Sequence, residues 1–131
     1  MTNRIKAIHA YRPAIKLGKC ATTGDLVTFI SAHSELDETI IRQVLREQRD
    51  ALAFHTLRGE PVQIEGLGTY TPTLKLSGEI AIAYRTDSLL KERLNAYNAF
   101  KGQIERRENI GKSSYELVSE WNTAHPDDPV S

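Results

Sequence analysis

Sulfur-containing and aromatic residues are scarce in this chain of 131 residues, which has one cysteine, one methionine and one tryptophan. The single Cys20 cannot form a disulfide within the chain, so we expect a reducing compartment. The sequence contains no run of about 18 apolar residues, and its opening residues lack the continuous apolar stretch of a secretory signal. These absences predict a cytoplasmic protein without a membrane-spanning segment.

Residue patterns that carry catalysis or bind metals are also missing. The histidines lie without the H-x-x-x-H or H-E-x-x-H spacing that places two imidazoles on one helix face: His9, His33, His55 and His125. Gly66-Leu67-Gly68 lacks the third glycine of a dinucleotide fingerprint and the Gly-Lys-Ser/Thr of a phosphate loop. We therefore predict no catalytic site, no metal site, no cofactor and no small-molecule substrate.

The formal net charge of the chain is zero, but the charges are unevenly distributed along it. Residues 1–22 carry five basic side chains and no acidic ones, a balance of +5. Residues 23–95 carry eight basic and eleven acidic side chains, and residues 96–131 carry four and six, balances of −3 and −2. Because affinity for nucleic acid comes largely from neutralising phosphates, the N-terminal segment is electrostatically the best suited to bind it.

Two amphipathic segments in the first half of the chain are predicted to be helices. Thr22-Thr23-Gly24-Asp25 fits a capping box and opens a short helix over about residues 24–34. Asp37 caps a second helix, which has one apolar stripe and is expected to end near Arg58. A single helix with such a stripe is unstable alone in water, so a second copy of the chain is expected to cover part of it.

Two further helices are predicted after the middle of the chain. Asp87 or Ser88 caps the first of them, whose apolar spacing continues until Gly111 ends or interrupts it. Residues 113–116 form a second capping box that opens a short final helix. The proline-containing tail after residue 124 is expected to fray.

Extended segments are predicted on both sides of the two capped helices. Residues 62–64, 70–76 and 79–85 alternate as strands do, with a Ser77-Gly78 turn between the last two. The opening segment, residues 5–21, mixes apolar and basic residues around a proline. This mixture predicts extended chain with one or two edge strands.

Residues 59–70, with the sequence GEPVQIEGLGTY, form the most distinctive motif of the chain. Gly59 suits a left-handed helix cap, Pro61 prevents the helix from continuing, and the two later glycines bracket one apolar residue in a crowded turn. Two helices, this capped exit, a strand, the G-L-G-T-Y turn and another strand together resemble the histone-like HU and integration host factor family of bacterial DNA-binding proteins. The resemblance covers about residues 23–95.

The resemblance implies a dimer with a helical base and a sheet that carries a DNA-binding arm from each subunit. In the family, long arms wrap the minor groove, and an apolar wedge at each tip kinks the DNA. Here only residues 73–83 are available for the arm, and the Ser77-Gly78 turn has no proline. We therefore expect little or no bending of DNA by this chain.

The same resemblance implies phosphate contacts for three basic side chains. Lys75 matches a basic position on the outgoing strand, Arg85 one where the returning strand meets the last helix, and Lys91 one in the first turns of that helix. Ser88 stands where the family commonly has a lysine, which weakens one contact. Ordinary solvated surface is the alternative interpretation, because isolated basic residues are common on proteins.

A branch of the same family carries an extra strand before its first helix, and the basic N-terminal segment resembles that feature. In this arrangement residues 5–11 would add to the sheet. The positive charge of the segment, including Arg4 and Lys6, would then contact phosphates. A solvated edge strand is the alternative interpretation.

Charged residues of both signs alternate along the second predicted helix. The basic residues are Arg42, Arg46 and Arg49, and the acidic residues are Glu38, Glu47 and Asp50. Such alternation predicts a salt-bridged, solvent-facing surface rather than a basic stripe.

Taken together, these patterns predict an α+β protein with an HU-like fold. It would comprise a basic N-terminal extended or strand segment (1–22), an HU-like domain (23–95) and a C-terminal helical extension and tail (96–131). The expected function is non-catalytic, largely sequence-independent binding of DNA phosphates by a homodimer in the bacterial nucleoid. The alternative is a dimeric protein-interaction or scaffold module that keeps the HU-like fold but has lost DNA binding.

Overall fold

The computed structural model describes residues 2–131 and has the mixed α+β composition predicted from the sequence. Two compact units are present. The middle unit is Cys20–Phe100, and the terminal unit combines the described residues up to Lys19 with Lys101–Ser131. No helix in the described part of the chain has both the length and the apolar character needed to cross a bilayer. The division at residues 22/23 and 95/96 stays a prediction.

Capping side chains start both long helices of the middle unit. Helix α2 spans Thr23–Ala32, and the predicted capping box is confirmed because Thr22 and Asp25 exchange side-chain and backbone hydrogen bonds. Helix α3 spans Glu38–Thr56, and the carboxylate of Asp37 accepts a hydrogen bond from the first turn. The two helices pack against each other.

A three-stranded antiparallel sheet follows α3, with strand order β2–β3–β4. Its strands are β2 at Val62–Ile64, β3 at Gly68–Leu74 and β4 at Ile80–Thr86. Gly68 has a φ of 152°, and a Cβ at this position would overlap the carbonyl oxygen of Arg85 on the neighbouring strand. The second glycine of G-L-G-T-Y is therefore required by a close approach of two backbones.

Helix α4 closes the middle unit and is shorter than predicted. It spans Ser88–Leu94 with Asp87 as its cap, whereas the apolar spacing predicted a helix continuing to about Gly111. That prediction is wrong. The side-chain amide of Asn95 donates a hydrogen bond to the carbonyl oxygen of Lys91 and so competes with the next helical turn.

The terminal unit is formed by the two ends of the chain. Its elements are α1, a two-stranded antiparallel sheet of β1 and β5, a 3₁₀ turn and α5. They span, in that order, Arg4–Tyr11, Ala14–Lys16 with Gln103–Glu105, Arg107–Asn109 and Ser114–Ala124. Ser113 accepts a hydrogen bond from the backbone N–H of Glu116, so the predicted start of the last helix is confirmed.

The N-terminal segment, residues 5–21, was predicted to be extended with one or two edge strands, and residues 5–11 were predicted to add to the sheet. One strand, β1, is confirmed, but the prediction is wrong for residues 5–11, which are helical and add to no sheet. Residues 4–11 form α1, which starts at Asn3 where the side chain accepts a hydrogen bond from the N–H of Lys6. Only β1 is a strand, and it pairs with β5. Pro13 ends the helix because the residue before a proline avoids the helical conformation, and Arg12 is extended with a ψ of 149°.

The last residues pack into the terminal unit, although they were predicted to fray. Val130 is buried together with Ala7 and Val118, and Trp121 packs against this cluster. Asn122 holds the backbone of Val130 through hydrogen bonds of 2.8 and 2.7 Å to its carbonyl and N–H groups. Paired hydrogen bonds to an otherwise unsatisfied backbone therefore fix the tail in place.

Candidate nucleic-acid interface

Lys75 lies at the end of the β3–β4 hairpin, immediately after the last residue of β3. The N–H of Gly78 donates a hydrogen bond to the carbonyl of Lys75, which closes the predicted Ser77-Gly78 turn. The ammonium of Lys75 lies 3.2 Å from the carboxylate of Glu79. This exposed ion pair offsets part of the positive charge at the hairpin tip.

Arg85 lies at the opposite end of the same hairpin, where β4 joins α4. It pairs with Thr69 of β3, and its side chain is exposed without an ion pair to any described residue. Together with Gln63, Ser88 and the carboxylate-bearing Asp87 it borders a depression of about 250 Å³ where β4 meets α4. This guanidinium group is available to an anion in solution.

Lys91 lies in the last turn of the short helix α4, six residues after Arg85 in the sequence. Its side chain is exposed and forms no ion pair within residues 2–131. The structure places Arg85 and Lys91 on the two elements that meet at Asp87, whereas Lys75 is about 20 Å away at the strand rise of 3.3 Å per residue. One chain therefore offers a cation pair at the base of the hairpin and a separate, partly neutralised cation at its tip.

Arg4 and Lys6 belong to the terminal unit, and only one of the two positive charges is available to an anionic ligand. The guanidinium of Arg4 donates a hydrogen bond to the carbonyl of Ser131 and lies 4.9 Å from the ring centre of Tyr115. Arg4 therefore contributes to the packing of the unit through a cation–π contact. Lys6 is exposed and forms no ion pair with any described residue.

Tyr84 is a positioning residue, although the sequence pattern predicted only that it belongs to the strand over residues 79–85. Its hydroxyl donates a hydrogen bond of 2.7 Å to the carbonyl of Leu67, inside the G-L-G turn. Its ring lies 5.0 Å from that of Tyr70 on the neighbouring strand. The contact anchors the strand immediately before Arg85, and only knowledge of the strand register could have revealed it.

The exit of α3 is fixed by a cluster of charged side chains. His55 Nδ1 lies 2.6 Å from the carboxylate of Glu60, and Arg58 lies 3.4 Å from the other oxygen of that carboxylate. The hydrogen bond from His55 is the main reason that the pKa of Glu60 lies below its ordinary value. These contacts hold the chain where it leaves the helix and turns toward β2.

Two charged side chains of the terminal unit, Lys112 and Asp128, form contacts that join parts of this unit. The pKa of Lys112 lies above its ordinary value, chiefly because its ammonium is 2.6 Å from the carboxylate of Glu120. The pKa of Asp128 lies below its ordinary value because Thr2 donates hydrogen bonds from its hydroxyl and its N–H. Among residues 2–131, no three His, Cys, Asp or Glu side chains are grouped so that they could hold a metal ion.

The exposed surface of the middle unit is unusually apolar. Its buried hydrophobic side chains are Val27 and Ile41, one from each helix of the base. Large apolar side chains of both helices remain exposed, and Phe29 and Val44 have exposed fractions of 63% and 58%. Many exposed large apolar side chains on one small unit favour an interface there.

Comparison with known proteins identifies no matching family model and no matching curated sequence.

Proposed function

We propose that this chain is a non-catalytic DNA-binding protein of the HU type, which binds the phosphate backbone of duplex DNA as a homodimer. The observation that carries the proposal is the pair of exposed cations, Arg85 and Lys91, at the base of a hairpin mounted on a two-helix base. The order helix, helix, three-stranded sheet and helix agrees with the order that the sequence motif implies. Phosphate contacts of this kind position DNA without reading its sequence.

Dimerisation is proposed from the burial pattern of the middle unit. Two buried hydrophobic side chains are too few for a unit of this size, because hydrophobic burial is the dominant favourable term in folding. The exposed faces of α2 and α3 supply the missing partner surface. Covering an exposed side chain such as Phe29 or Val44 contributes on the order of 1 kcal/mol, and a symmetric dimer doubles each contribution.

A dimer also doubles the cations. Two copies of Arg85 and Lys91 give four charges that can each neutralise a phosphate. Binding should then weaken with salt at a slope of about −3 to −4 in a plot of log K against log salt concentration. Lys6 would add to this slope, whereas Arg4 contributes less because its guanidinium already contacts Ser131 and Tyr115.

Bending of DNA is expected to be small. The hairpin strands have seven residues each, and Lys75 and Glu79 pair across the turn at the tip. No proline stands at the tip to intercalate between bases. The chain therefore lacks the wedge with which architectural proteins kink the minor groove.

The proposal is tested by fluorescence anisotropy with a labelled duplex at low and moderate salt. The doubly substituted Arg85→Glu/Lys91→Glu protein should lose most of its affinity, while Lys101→Glu/Arg107→Glu, which makes the same change of net charge at an exposed lysine and an exposed arginine of the terminal unit, should lose little. Absence of binding by the unmodified protein at micromolar concentration and low salt would overturn the proposal. Equal losses in the two variants would show that general charge, and not this cation pair, is responsible.

A protein-interaction or scaffold module is the second candidate function. It is favoured by the ion pair that offsets Lys75 and by a largely apolar groove of about 360 Å³ between the exit of α3 and the hairpin. Leu57, Leu74 and Ile80 line this groove and are exposed. A stable dimer that binds no DNA at low salt would favour this second function over the first.

A further inference from the structure

Three arginines lie along one side of α3, in a part of the sequence well before the hairpin cations Lys75 and Arg85. Arg42, Arg46 and Arg49 are spaced four and three residues apart, so their side chains share one face of the helix. With Thr23 and Leu45 they line a groove of about 390 Å³ beside the start of α2. We refer to these three side chains as the arginine stripe.

The sequence predicted a salt-bridged, solvent-facing surface here, and all six charged side chains are exposed, but only one of the three arginines forms an ion pair with a described residue. Arg42 and Arg46 form no ion pair with any residue from 2 to 131, and Arg49 pairs with its neighbour Asp50 at 3.2 Å. That pair is exposed and therefore weak. Acidic side chains lie on the same side of α3, because Glu38 stands four residues before Arg42 and Asp50 four residues after Arg46, about 40° round the helix at 3.6 residues per turn. Neither carboxylate forms an ion pair with Arg42 or Arg46 among the described residues, although Glu38 and Glu47 border a groove together with these two arginines.

The arginine stripe stays accessible in the proposed dimer. Ile40 and Val44 are exposed apolar residues that lie on the far side of α3, about 180° round the helix axis from the stripe. A partner copy that covers this apolar face leaves the opposite, basic face in solvent. The helix therefore has one face suited to self-association and another suited to an anionic ligand.

The chemistry of the stripe favours a polyanion with regularly spaced charges. The three side chains cover about 10 Å along the helix axis at 1.5 Å per residue. One DNA strand advances about 3.4 Å along the duplex axis per phosphate, so the length of the stripe corresponds to about three phosphate steps. Guanidinium groups bind phosphate oxygens through paired hydrogen bonds, which makes arginine well suited to this role.

An acidic protein partner fits the groove less well. Protein interfaces have an apolar or aromatic centre, whereas the groove contains one apolar side chain, the half-buried Leu45. We infer that the arginine stripe is a second phosphate-binding surface, on which the backbone of duplex DNA lies in addition to the cations at the base of the hairpin. The inference rests on the proposed DNA-binding function and extends it to a surface that the family resemblance does not include.

The test compares Arg42→Gln/Arg46→Gln with the control Lys101→Gln/Arg107→Gln, which removes two exposed positive charges in the terminal unit. Affinity for a labelled duplex is measured across a salt series. The stripe variant should lose at least about tenfold in affinity at low salt, and its salt slope should fall by up to about 3.6, since each lost phosphate contact removes about 0.9 and the dimer carries two copies of both arginines. The control should keep the unmodified slope, and Arg42→Lys/Arg46→Lys should recover most of it.

Each result distinguishes the stripe from the hairpin cations. If the unmodified protein binds DNA and the stripe variant matches the control, the inference fails while the proposed function stands. If the unmodified protein binds no DNA, both fail. Loss of binding to polyglutamate with unchanged DNA affinity would assign the stripe to an acidic protein and overturn the inference. Circular dichroism should be identical for all variants because the altered side chains are exposed.

Discussion

The hydroxyl of Tyr84 donates a hydrogen bond of 2.7 Å to the carbonyl of Leu67, and so ties the last strand of the sheet to the G-L-G turn. The same carbonyl accepts a second hydrogen bond from the N–H of Asp87, the residue that caps α4. One backbone oxygen therefore joins the turn, the strand and the start of the helix. Arg85 lies between these two donors, so its position depends on this junction.

Tyr84→Phe is expected to lower the free energy of unfolding by about 0.5–1 kcal/mol, because it removes one partly exposed hydrogen bond. Tyr70→Phe is the matched control, since Tyr70 packs against the same ring and its hydroxyl forms no hydrogen bond with a described residue. Urea denaturation of both variants checks the difference. Equal stabilities would show that the junction does not depend on this hydroxyl.

Gly68→Ala is expected to destabilise the middle unit by at least about 2 kcal/mol. The new methyl group would overlap the carbonyl oxygen of Arg85 and lie 2.7 Å from the ring of Tyr84. Gly24→Ala is the control, because its Cβ meets only ordinary contacts and alanine favours the helix by about 0.5–1 kcal/mol. Thermal unfolding should move in opposite directions for the two variants, and a neutral Gly68→Ala would contradict the close approach.

Local chemistry made the starts of several helices predictable from the sequence. Thr22 with Asp25, Asp37 and Ser113 form caps whose hydrogen bonds lie within three residues, so their partners are visible in the sequence. The G-L-G-T-Y turn and the short hairpin were likewise predictable, because glycine and strand alternation act locally. The helix caps, together with the turn and strand patterns, predicted the α+β class and the order of elements in the middle unit.

The terminal unit could not be predicted because its contacts join distant parts of the chain. Helix α1 packs on α5, and Ile15 of β1 faces Ile104 of β5. Apolar residues in residues 5–17 are equally compatible with a strand or a helix until the partner surface is known. The two unpaired arginines of α3, Arg42 and Arg46, were missed for a related reason, since helical spacing shows that opposite charges share a face but not whether they form an ion pair.

Glu60→Gln is expected to make stability less sensitive to acid. The pKa of Glu60 is lowered in the folded protein by the hydrogen bond from His55 and the nearby Arg58. A lowered carboxyl pKa adds stability that is present above the unfolded pKa and is lost as pH falls through the folded pKa. Melting temperatures should therefore fall more steeply for the unmodified protein than for the variant below about pH 5.

Glu65→Gln is the control for this pH effect. Glu65 is an exposed glutamate in the same connecting region and forms no ion pair with the described residues. Its removal should leave the acid limb of the stability curve unchanged. Parallel curves for the unmodified protein and Glu60→Gln would show that the cluster at the exit of α3 adds no pH-dependent stability.

Val44→Asp separates the proposed dimer from a stable single subunit. In one chain Val44 is 58% exposed, so a carboxylate there would cost little if the subunit folds alone. In the proposed dimer the same carboxylate would be buried without a partner on both copies, at a cost of several kcal/mol. Light scattering should therefore report a dimer for the unmodified protein and a monomer or unfolded chain for Val44→Asp. The control Gln43→Glu, which adds a charge at the neighbouring exposed residue, should remain dimeric. If Val44→Asp is also dimeric and as stable as the unmodified protein, this face is not the interface.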